Sequence, residues 1–234
     1  MKAIKFTISG AFAHFKKPDV NAYAYFTYGH IHKVALLGIF GSIMGLEGYK
    51  EKIEDYPEFY KALRHLKVAI IPKKPYFTKK IQVFNNSVGY ASQEEGGNLI
   101  VREQWLEDVA WDIVVANDGT PEFKELKERL QKRAFVYLPY LGKNDHPANI
   151  GKVQELELKP ATEPAECISL VPKDAVRFVK PPSGFGAQPF YYEEFLPMGL
   201  KEKFLIYEYE KMVLSNWVVE GEMWGYKEGG IKFI

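Results

Sequence analysis

Residues 33–46 read KVALLGIFGSIMGL, and residues 2–10, upstream of them, read KAIKFTISG. The upstream segment alternates apolar and polar residues over 2–9, which is the period of a half-buried strand, and Gly10 is expected to end it. The other segment predicts a helix from about His32 to Leu46. Its small residues recur at spacings of three and four, so they share one face, which allows close approach of a sheet or another backbone: Gly38, Gly41, Ser42 and Gly45.

Seven further elements are predicted before residue 140. They are a short helix that ends near Leu66, strands at Leu66–Ile71, Ile81–Phe84, Leu99–Val109, Trp111–Ala116 and Phe135–Leu138, and a helix from the Thr120 N-cap to about Arg133. The segment 73–98 is otherwise irregular. The order strand–helix–strand–strand–helix–strand indicates an α+β fold of the ferredoxin-like kind, the frame of an RNA-recognition motif.

The chain changes character beyond Tyr140. Proline becomes frequent, helical periodicity disappears, and short alternating runs occur at Ala175–Lys180, Lys203–Tyr209 and Asn216–Glu220. This pattern favours two domains: a ferredoxin-like domain over 1–149 and a small antiparallel β domain over 150–234.

The net charge of +1 conceals an asymmetry between the two parts of the chain. Residues 1–93 contain fourteen Lys/Arg and six Asp/Glu, whereas residues 94–234 contain seventeen and twenty-four. The stretch Phe59–Gln93 has no carboxylate at all. A basic half indicates a polyanionic partner. The alternative is that these lysines cluster by chance or pair with acids from the other half.

A single cysteine, Cys167, excludes an internal disulfide framework and a cysteine-based zinc site. His30 and His32 lie at alternate positions but lack a clear third ligand, so neither a metal nor a cofactor is expected. The N-terminus shows no signal peptide, and the apolar run Val34–Leu46 is too short to span a bilayer. We expect a cytoplasmic protein.

Two segments resemble a known family. The first is Gly10–Asp19 (GAFAHFKKPD), followed by Thr27-Tyr28 and by Lys33–Leu46; the second is Leu141–Asn144 (LGKN) with His146-Pro147-Ala148. In this order they resemble the CRISPR-associated Cas-five family, the RAMP-superfamily backbone subunits of type I Cascade complexes. The form of the helix segment is most similar to the type I-B branch.

The resemblance implies a ferredoxin-like domain with an inserted thumb, for which 73–98 is the candidate, and a C-terminal β domain. It also implies that the protein caps the 5′ handle of the crRNA and contacts a Cas-seven filament subunit and the large subunit of Cascade.

Candidate RNA contacts lie before the helix and after the first domain's last predicted strand. Phe15 offers an aromatic platform, and Lys16 and Lys17 offer cations for phosphates. The alternative is that Phe12 and Phe15 fill the core. The other candidates are Tyr28, His30, His32 and Lys33, which precede the free N–H groups of the helix, and Lys143, Asn144 and His146. A structural role for a histidine, or an ordinary loop, stays open for these.

Catalysis is the main alternative function. The type I-C branch of the family cleaves pre-crRNA without metal, using a Tyr and an adjacent Lys-His pair that act as base and cation. This sequence has no Lys-His dipeptide, and Tyr49 is the one possible remnant. A rearranged site with His14, His30 or His32 stays open, as does a scaffold that touches mainly protein. The sequence favours a non-catalytic RNA-binding subunit.

Overall fold

The computed structural model describes residues 1–19, 23–50, 55–87, 89, 93–182, 188–202, 204–227 and 229–234. Its named strand pairs are all antiparallel. The helices in these ranges are α1 (Lys33–Met44), α2 (Glu58–Leu63) and α3 (Pro121–Lys132), with a 3-10 turn at Lys173–Ala175. The strands are β1 (Lys2–Ala13), β2 (Val68–Pro72), β3 (Lys79–Asn85), β4 (Ile100–Ala116), β5 (Asn149–Ile150), β6 (Gln154–Glu157), β7 (Lys159–Pro160), β8 (Ala165–Glu166), β9 (Val171–Pro172), β10 (Arg177–Lys180), β11 (Tyr191–Leu200), β12 (Tyr207–Ser215), β13 (Val218–Glu220), β14 (Trp224–Tyr226) and β15 (Gly229–Ile231).

The central sheet has six strands. Its order is β2–β4–β1–β5, with β3 paired to β4 and β6 paired to β1. The prediction that Gly10 ends the first strand is wrong, because Gly10 pairs with Val109 and the ladder continues to Ala13. Apart from this difference, the structure has the predicted mixture of helices and mostly antiparallel strands.

Strand β4 is a single strand where two were predicted. Its first half pairs with β3, and its second half pairs with β2. Near the change of partner Asp108 takes a left-handed backbone conformation (φ 48°), which Asp tolerates better than most residues. Because the last residue of β1, Ala13, pairs with Leu106, the β3–β4 hairpin projects beyond the end of β1. The segment 73–98 thus contains a strand longer than predicted; residues 88 and 90–92 of it lie outside the described ranges.

Helix α1 packs most of its surface into the core. It begins after the N-cap His32 and ends at Gly45, which has a left-handed conformation (φ 81°) that glycine adopts without strain. Gly41 provides the predicted close approach, since a Cβ atom there would lie 2.5 Å from Phe59 Cβ. The accessible positions on α1 beyond its first residue, Lys33, are occupied by small residues: Ala35, Gly38 and Ser42.

Helix α3 confirms its predicted cap and apolar face. Thr120 Oγ1 accepts a hydrogen bond from Phe123 N–H at 3.3 Å, and Phe123 is buried with Leu126 and Leu130. The strand predicted at Phe135–Leu138 is wrong. The N–H groups of Val136 and Tyr137 instead donate to carbonyls in the last turn of α1, at 3.1 Å each, and so satisfy groups that the helix leaves free.

The C-terminal part consists of three small antiparallel sheets, in the orders β10–β13–β8, β11–β12–β9 and β15–β14–β7. Leu196, Leu200 and Met212 join the core cluster that contains α1. The predicted domain division at residue 149 stays a prediction, since β5 lies across it and β6 extends the first sheet. Among the described residues, none of the helices is long and apolar enough to cross a membrane.

Candidate nucleic-acid interface

The loop between β1 and α1 folds back on itself and onto the β3–β4 hairpin. Lys17 N–H donates to Phe26 carbonyl at 2.8 Å, and Tyr28 N–H donates to Phe15 carbonyl at 3.0 Å. Tyr25 N–H donates to the carbonyl of Arg102 in β4 at 2.9 Å. These bonds fix which side chains of the loop face the core and which face solvent.

Five of the ten predicted RNA contacts are buried side chains: Phe15, Tyr28, His30, His32 and His146. Phe15 is 3% exposed and packs edge-on against Trp111, so the ring cannot act as a stacking platform in this conformation. His30 accepts a hydrogen bond from Trp111 Nε1 at 3.3 Å, and the hydroxyl of Tyr28 bonds to that of Tyr209 at 3.1 Å. In this structure Phe15 packs in the core, as the alternative describes, and its contact with RNA stays a prediction.

Lys16 is exposed and stacks over an exposed aromatic ring. Its Nζ lies 3.8 Å from the centroid of Tyr25, which is 36% exposed, and Phe26 and Tyr23 nearby are 43% and 83% exposed. Cations next to exposed rings are what single-stranded nucleic acid needs, because rings stack on bases while cations neutralise phosphates. The sequence prediction chose Phe15 as the ring, and the aromatic residues that reach solvent lie some ten positions later.

Lys17, unlike Lys16, is partly buried and forms an ion pair within the chain. Its Nζ lies 2.7 Å from Glu194 Oε1 and 5.2 Å from the ring centroid of Tyr28. Glu194 also accepts hydrogen bonds from Gly29 N–H at 2.8 Å and from the Tyr192 hydroxyl at 2.5 Å. Lys17 therefore ties the loop to β11.

Lys33, the first residue of α1, lies away from Lys16. It lines a shallow cleft of about 440 Å³ together with Arg64, Glu208 and Glu210. Burial lowers the pKa of Lys33, and the charge of Glu210 acts in the opposite direction. The structure does not bring Lys33 together with the loop lysines.

The segment Leu141–Asn144, the second of the two that resemble the Cas-five family, contacts the first segment, Gly10–Asp19. His14 N–H donates to the Leu141 carbonyl at 3.0 Å. Lys143 Nζ lies 2.7 Å from Glu103 Oε2 and 4.8 Å from the ring centroid of Phe84. Burial disfavours the charged form of Glu103, yet hydrogen bonds from Lys143 and Trp105 hold its pKa below the ordinary value. Lys143 thus contacts the middle of the β3–β4 hairpin, whereas Asn144 is exposed to solvent.

The basic stretch Phe59–Gln93 is partly neutralised within the chain. Lys73 pairs with Asp112 at 2.5 Å, and Lys80 lies 3.9 Å from Glu107, both acids of the other half of the chain. Lys61 pairs with Asp55 at 2.5 Å. The Asp112 carboxylate is buried, whereas the other two pairs lie at the surface, where such pairs contribute little to stability. All three lower the positive charge that remains for a polyanion.

A groove of about 710 Å³ runs along α1; we call it the α1 groove. The accessible residues of α1 line it, so small side chains form its floor: Ala35, Gly38 and Ser42. Tyrosines from three separate parts of the chain line it as well: Tyr49, Tyr137, Tyr140 and Tyr207. Lys16 and the ion pair of Lys50 with Glu47 lie at its rim. None of these tyrosines was predicted as a binding residue, because no local pattern separates a groove-lining ring from a core ring.

His32 closes the groove at its inner end. Its Nδ1 accepts a hydrogen bond from Ala35 N–H at 3.2 Å, and burial lowers its pKa to about 3. The ring is therefore neutral near pH 7, with its proton on Nε2. In the described part of the chain no group of three or more His, Cys, Asp or Glu residues forms a metal site.

The fold is similar to that of solved CRISPR proteins. A chain of a CRISPR RNA-guided surveillance complex matches with a TM-score of 0.55 and 14% identity, over 93% of this chain and 91% of that one. A chain of a type III-B Cmr-beta complex bound to cognate target RNA and AMPPnP matches with a TM-score of 0.53 and 9% identity, over 92% and 85%. A CRISPR protein from Archaeoglobus fulgidus matches with a TM-score of 0.50 and 9% identity, over 98% and 97%. No protein-family model and no curated protein matches the chain. At these identities the finding is a fold that this chain shares with these solved CRISPR proteins.

Proposed function

We propose that this chain is a non-catalytic, crRNA-binding subunit of a type I CRISPR interference complex. In this proposal it belongs to the Cas-five family, in the type I-B branch, and caps the 5′ handle of the guide RNA. The observation that carries the proposal is the exposed pair of Lys16 and Tyr25 beside the α1 groove, on a fold similar to that of solved CRISPR proteins.

The finer description of the fold belongs to the same proposal. We interpret the sheet order β2–β4–β1–β6, with α1 and α3 packed in one core, as ferredoxin-like. The projecting β3–β4 hairpin is our candidate for the thumb. It exposes Ile81 and Val83 on one strand and Ile100 on the other, an apolar surface that suits contact with RNA bases or with a neighbouring subunit.

The proposed protein partners are a Cas-seven subunit and the large subunit. The turn between β11 and β12 supports a protein contact, because Phe204 and Ile206 are 74% and 54% exposed there. In the sequence Lys201, Glu202, Lys203 and Glu208 flank them, so the segment has no net charge. An apolar tip without excess positive charge fits a protein surface better than a polyanion.

A non-catalytic role is proposed because the histidines of the loop are poorly suited to proton transfer. His30 accepts from Trp111, and burial lowers its pKa to about 4. Tyr49 is exposed in the structure, and a tyrosine hydroxyl, with an ordinary pKa of about 10, is protonated near pH 7 and so cannot act as a general base there. The alternative, metal-independent cleavage of pre-crRNA, requires at least one of these groups to titrate near neutrality.

The experiment is binding of labelled repeat-derived RNA to the purified chain in EDTA, at several salt concentrations. We expect intact RNA and salt-sensitive binding. Lys16→Ala should lower the salt slope by about 0.7, the value for one phosphate contact on a single strand. Lys132→Ala, an exposed cation on α3, is the matched control. Cleaved RNA would favour the enzyme alternative, and an unchanged slope in Lys16→Ala would remove the proposed site.

A further inference from the structure

We propose that the α1 groove is a base pocket: it takes one unstacked nucleobase of a single-stranded RNA, and His32 Nε2–H donates to an acceptor on the edge of that base. This inference rests on the proposed RNA-binding function and names the part of the RNA that the groove holds.

The depth of the groove comes from the small residues of α1. A Cβ atom on Gly38 would meet only Phe59 Cε2, at 3.9 Å, so Gly38 faces open space. The Ser42 hydroxyl donates back to the Ile39 carbonyl at 3.0 Å and offers no proton to the groove. A flat ring can therefore approach the backbone of α1. The volume of about 710 Å³ lies in the range of pockets that enclose small ligands, roughly 300–1,000 Å³.

The polar group at the inner end of the groove is what points to a ligand. His32 is 3% exposed, and its Nδ1 is already used by Ala35 N–H. This leaves the proton on Nε2, for which the described residues provide no hydrogen-bond partner. The edges of Phe15, Tyr28 and Tyr207 surround the ring and fix its orientation. His32 also lines the groove, so a carbonyl or ring nitrogen of a base in the groove could accept a hydrogen bond from Nε2–H.

The charges favour a nucleic acid over a protein segment. Among the described residues that line the α1 groove, Glu47 is the one with a carboxylate, and Lys50 pairs with it. Lys16 makes no salt bridge within the described ranges. Its ammonium group lies over the ring of Tyr25, and both Tyr25 and Phe26 are exposed to solvent. A strand of RNA can thus place a base in the groove and the adjoining phosphate at Lys16.

The test combines a groove-filling variant with abasic scanning of the RNA. The variant is Gly38→Leu, whose side chain occupies the groove, and the control is Gly38→Ala, which adds one methyl group. Each is titrated with repeat-derived RNA in which one base at a time is removed. For the wild-type chain we expect one position at which base removal weakens binding by about five- to 150-fold. In Gly38→Leu the same removal should change affinity by less than about twofold, because the pocket is already lost.

His32→Asn provides a second variant, since Asn keeps the N-cap acceptor and removes the Nε2 donor. We expect it to bind RNA but to lose the preference among bases at the scanned position. If Gly38→Leu and base removal each weaken RNA binding by a factor that is independent of the other, the α1 groove does not hold the base. The proposed RNA binding would still stand in that case. RNA binding unchanged by Gly38→Leu, with loss of a copurifying Cascade subunit, would assign the groove to a protein. If the wild-type chain binds no RNA, the proposed function itself fails.

Discussion

The ammonium of Lys17 lies 2.7 Å from the carboxylate of Glu194, and through this pair the loop before α1 is fastened to strand β11. Gly29 N–H and the Tyr192 hydroxyl complete the coordination of the same carboxylate. Lys16 is the neighbour of Lys17 in the chain, so the Lys17–Glu194 ion pair also helps to fix the position of the exposed Lys16 side chain. A residue in the C-terminal part thus positions the proposed RNA contact in the N-terminal part.

Glu194→Gln should destabilise the fold by about 2 kcal/mol at pH 7, because it leaves Lys17 partly buried without a counter-charge. Burial disfavours the ionised form of Glu194, but the bonds from Lys17, Tyr192 and Gly29 lower its pKa below the ordinary value. The stabilisation is therefore present above the unfolded-state pKa of about 4.5 and is lost as the pH falls through the lower folded-state value. Urea unfolding at several pH values measures this.

The double variant Lys17→Met with Glu194→Gln serves as the control for that prediction, since it removes both charges. It should be less destabilised than the sum of the two single variants. Additive effects at pH 7 would show that the two charges do not interact.

Lys143→Met should destabilise the chain by about 2 kcal/mol through the loss of the ion pair with Glu103 in the middle of the β3–β4 hairpin. Lys173→Met removes an exposed partner of Glu193 and should leave the unfolding midpoint nearly unchanged. Lys143 was predicted as an RNA contact from its sequence context. A lowered salt slope of RNA binding in Lys143→Met, without loss of stability, would restore that role and contradict the anchoring role.

Elements with strong local signals could be predicted from the sequence. Helix α3 has a capping threonine, a proline at its first position and three apolar residues on one face, and all of these are found in the structure. The extent of β1 and the unity of β4 could not be predicted, because Gly10 stays in the sheet by pairing with the distant Val109, and β4 continues past the unpaired Asp108 through the pairing of Glu107 and Val109 with β1. The site was predicted as a loop, but which rings of that loop are exposed depends on hydrogen bonds to β4 and on packing against Trp111.

Acidification from pH 7 to pH 5 should destabilise the chain through His30 and His32. Burial lowers their pKa values to about 4 and about 3, so between these values and the ordinary 6.5 only the unfolded chain binds the protons. For His30 the charge of Glu194 and a backbone bond at Pro75 oppose this shift, while Lys79 adds to it. The loss at pH 5 is about 2 kcal/mol for each histidine.

Chemical denaturation at both pH values checks the histidine prediction. His32→Asn should lose less stability between pH 7 and pH 5 than the wild-type chain, because one of the buried histidines whose pKa burial lowers is absent, while His14, His30 and His146 remain. His65→Gln is the control, since that ring lies at the surface. A wild-type chain with equal stability at both pH values would contradict the burial of both rings.

Two glycines of α1 should respond in opposite directions to the same substitution. Gly41→Ala brings a methyl group to within 2.5 Å of Phe59 Cβ, which requires α2 to move and should cost about 1–3 kcal/mol. Gly38→Ala meets nothing closer than 3.9 Å and should stabilise the helix by up to about 1 kcal/mol, because alanine has the higher helix propensity. Thermal and urea unfolding of the two variants measures the difference. Equal destabilisation would mean that the floor of the α1 groove is packed as tightly as the helix–helix contact, and the groove could then hold no ligand.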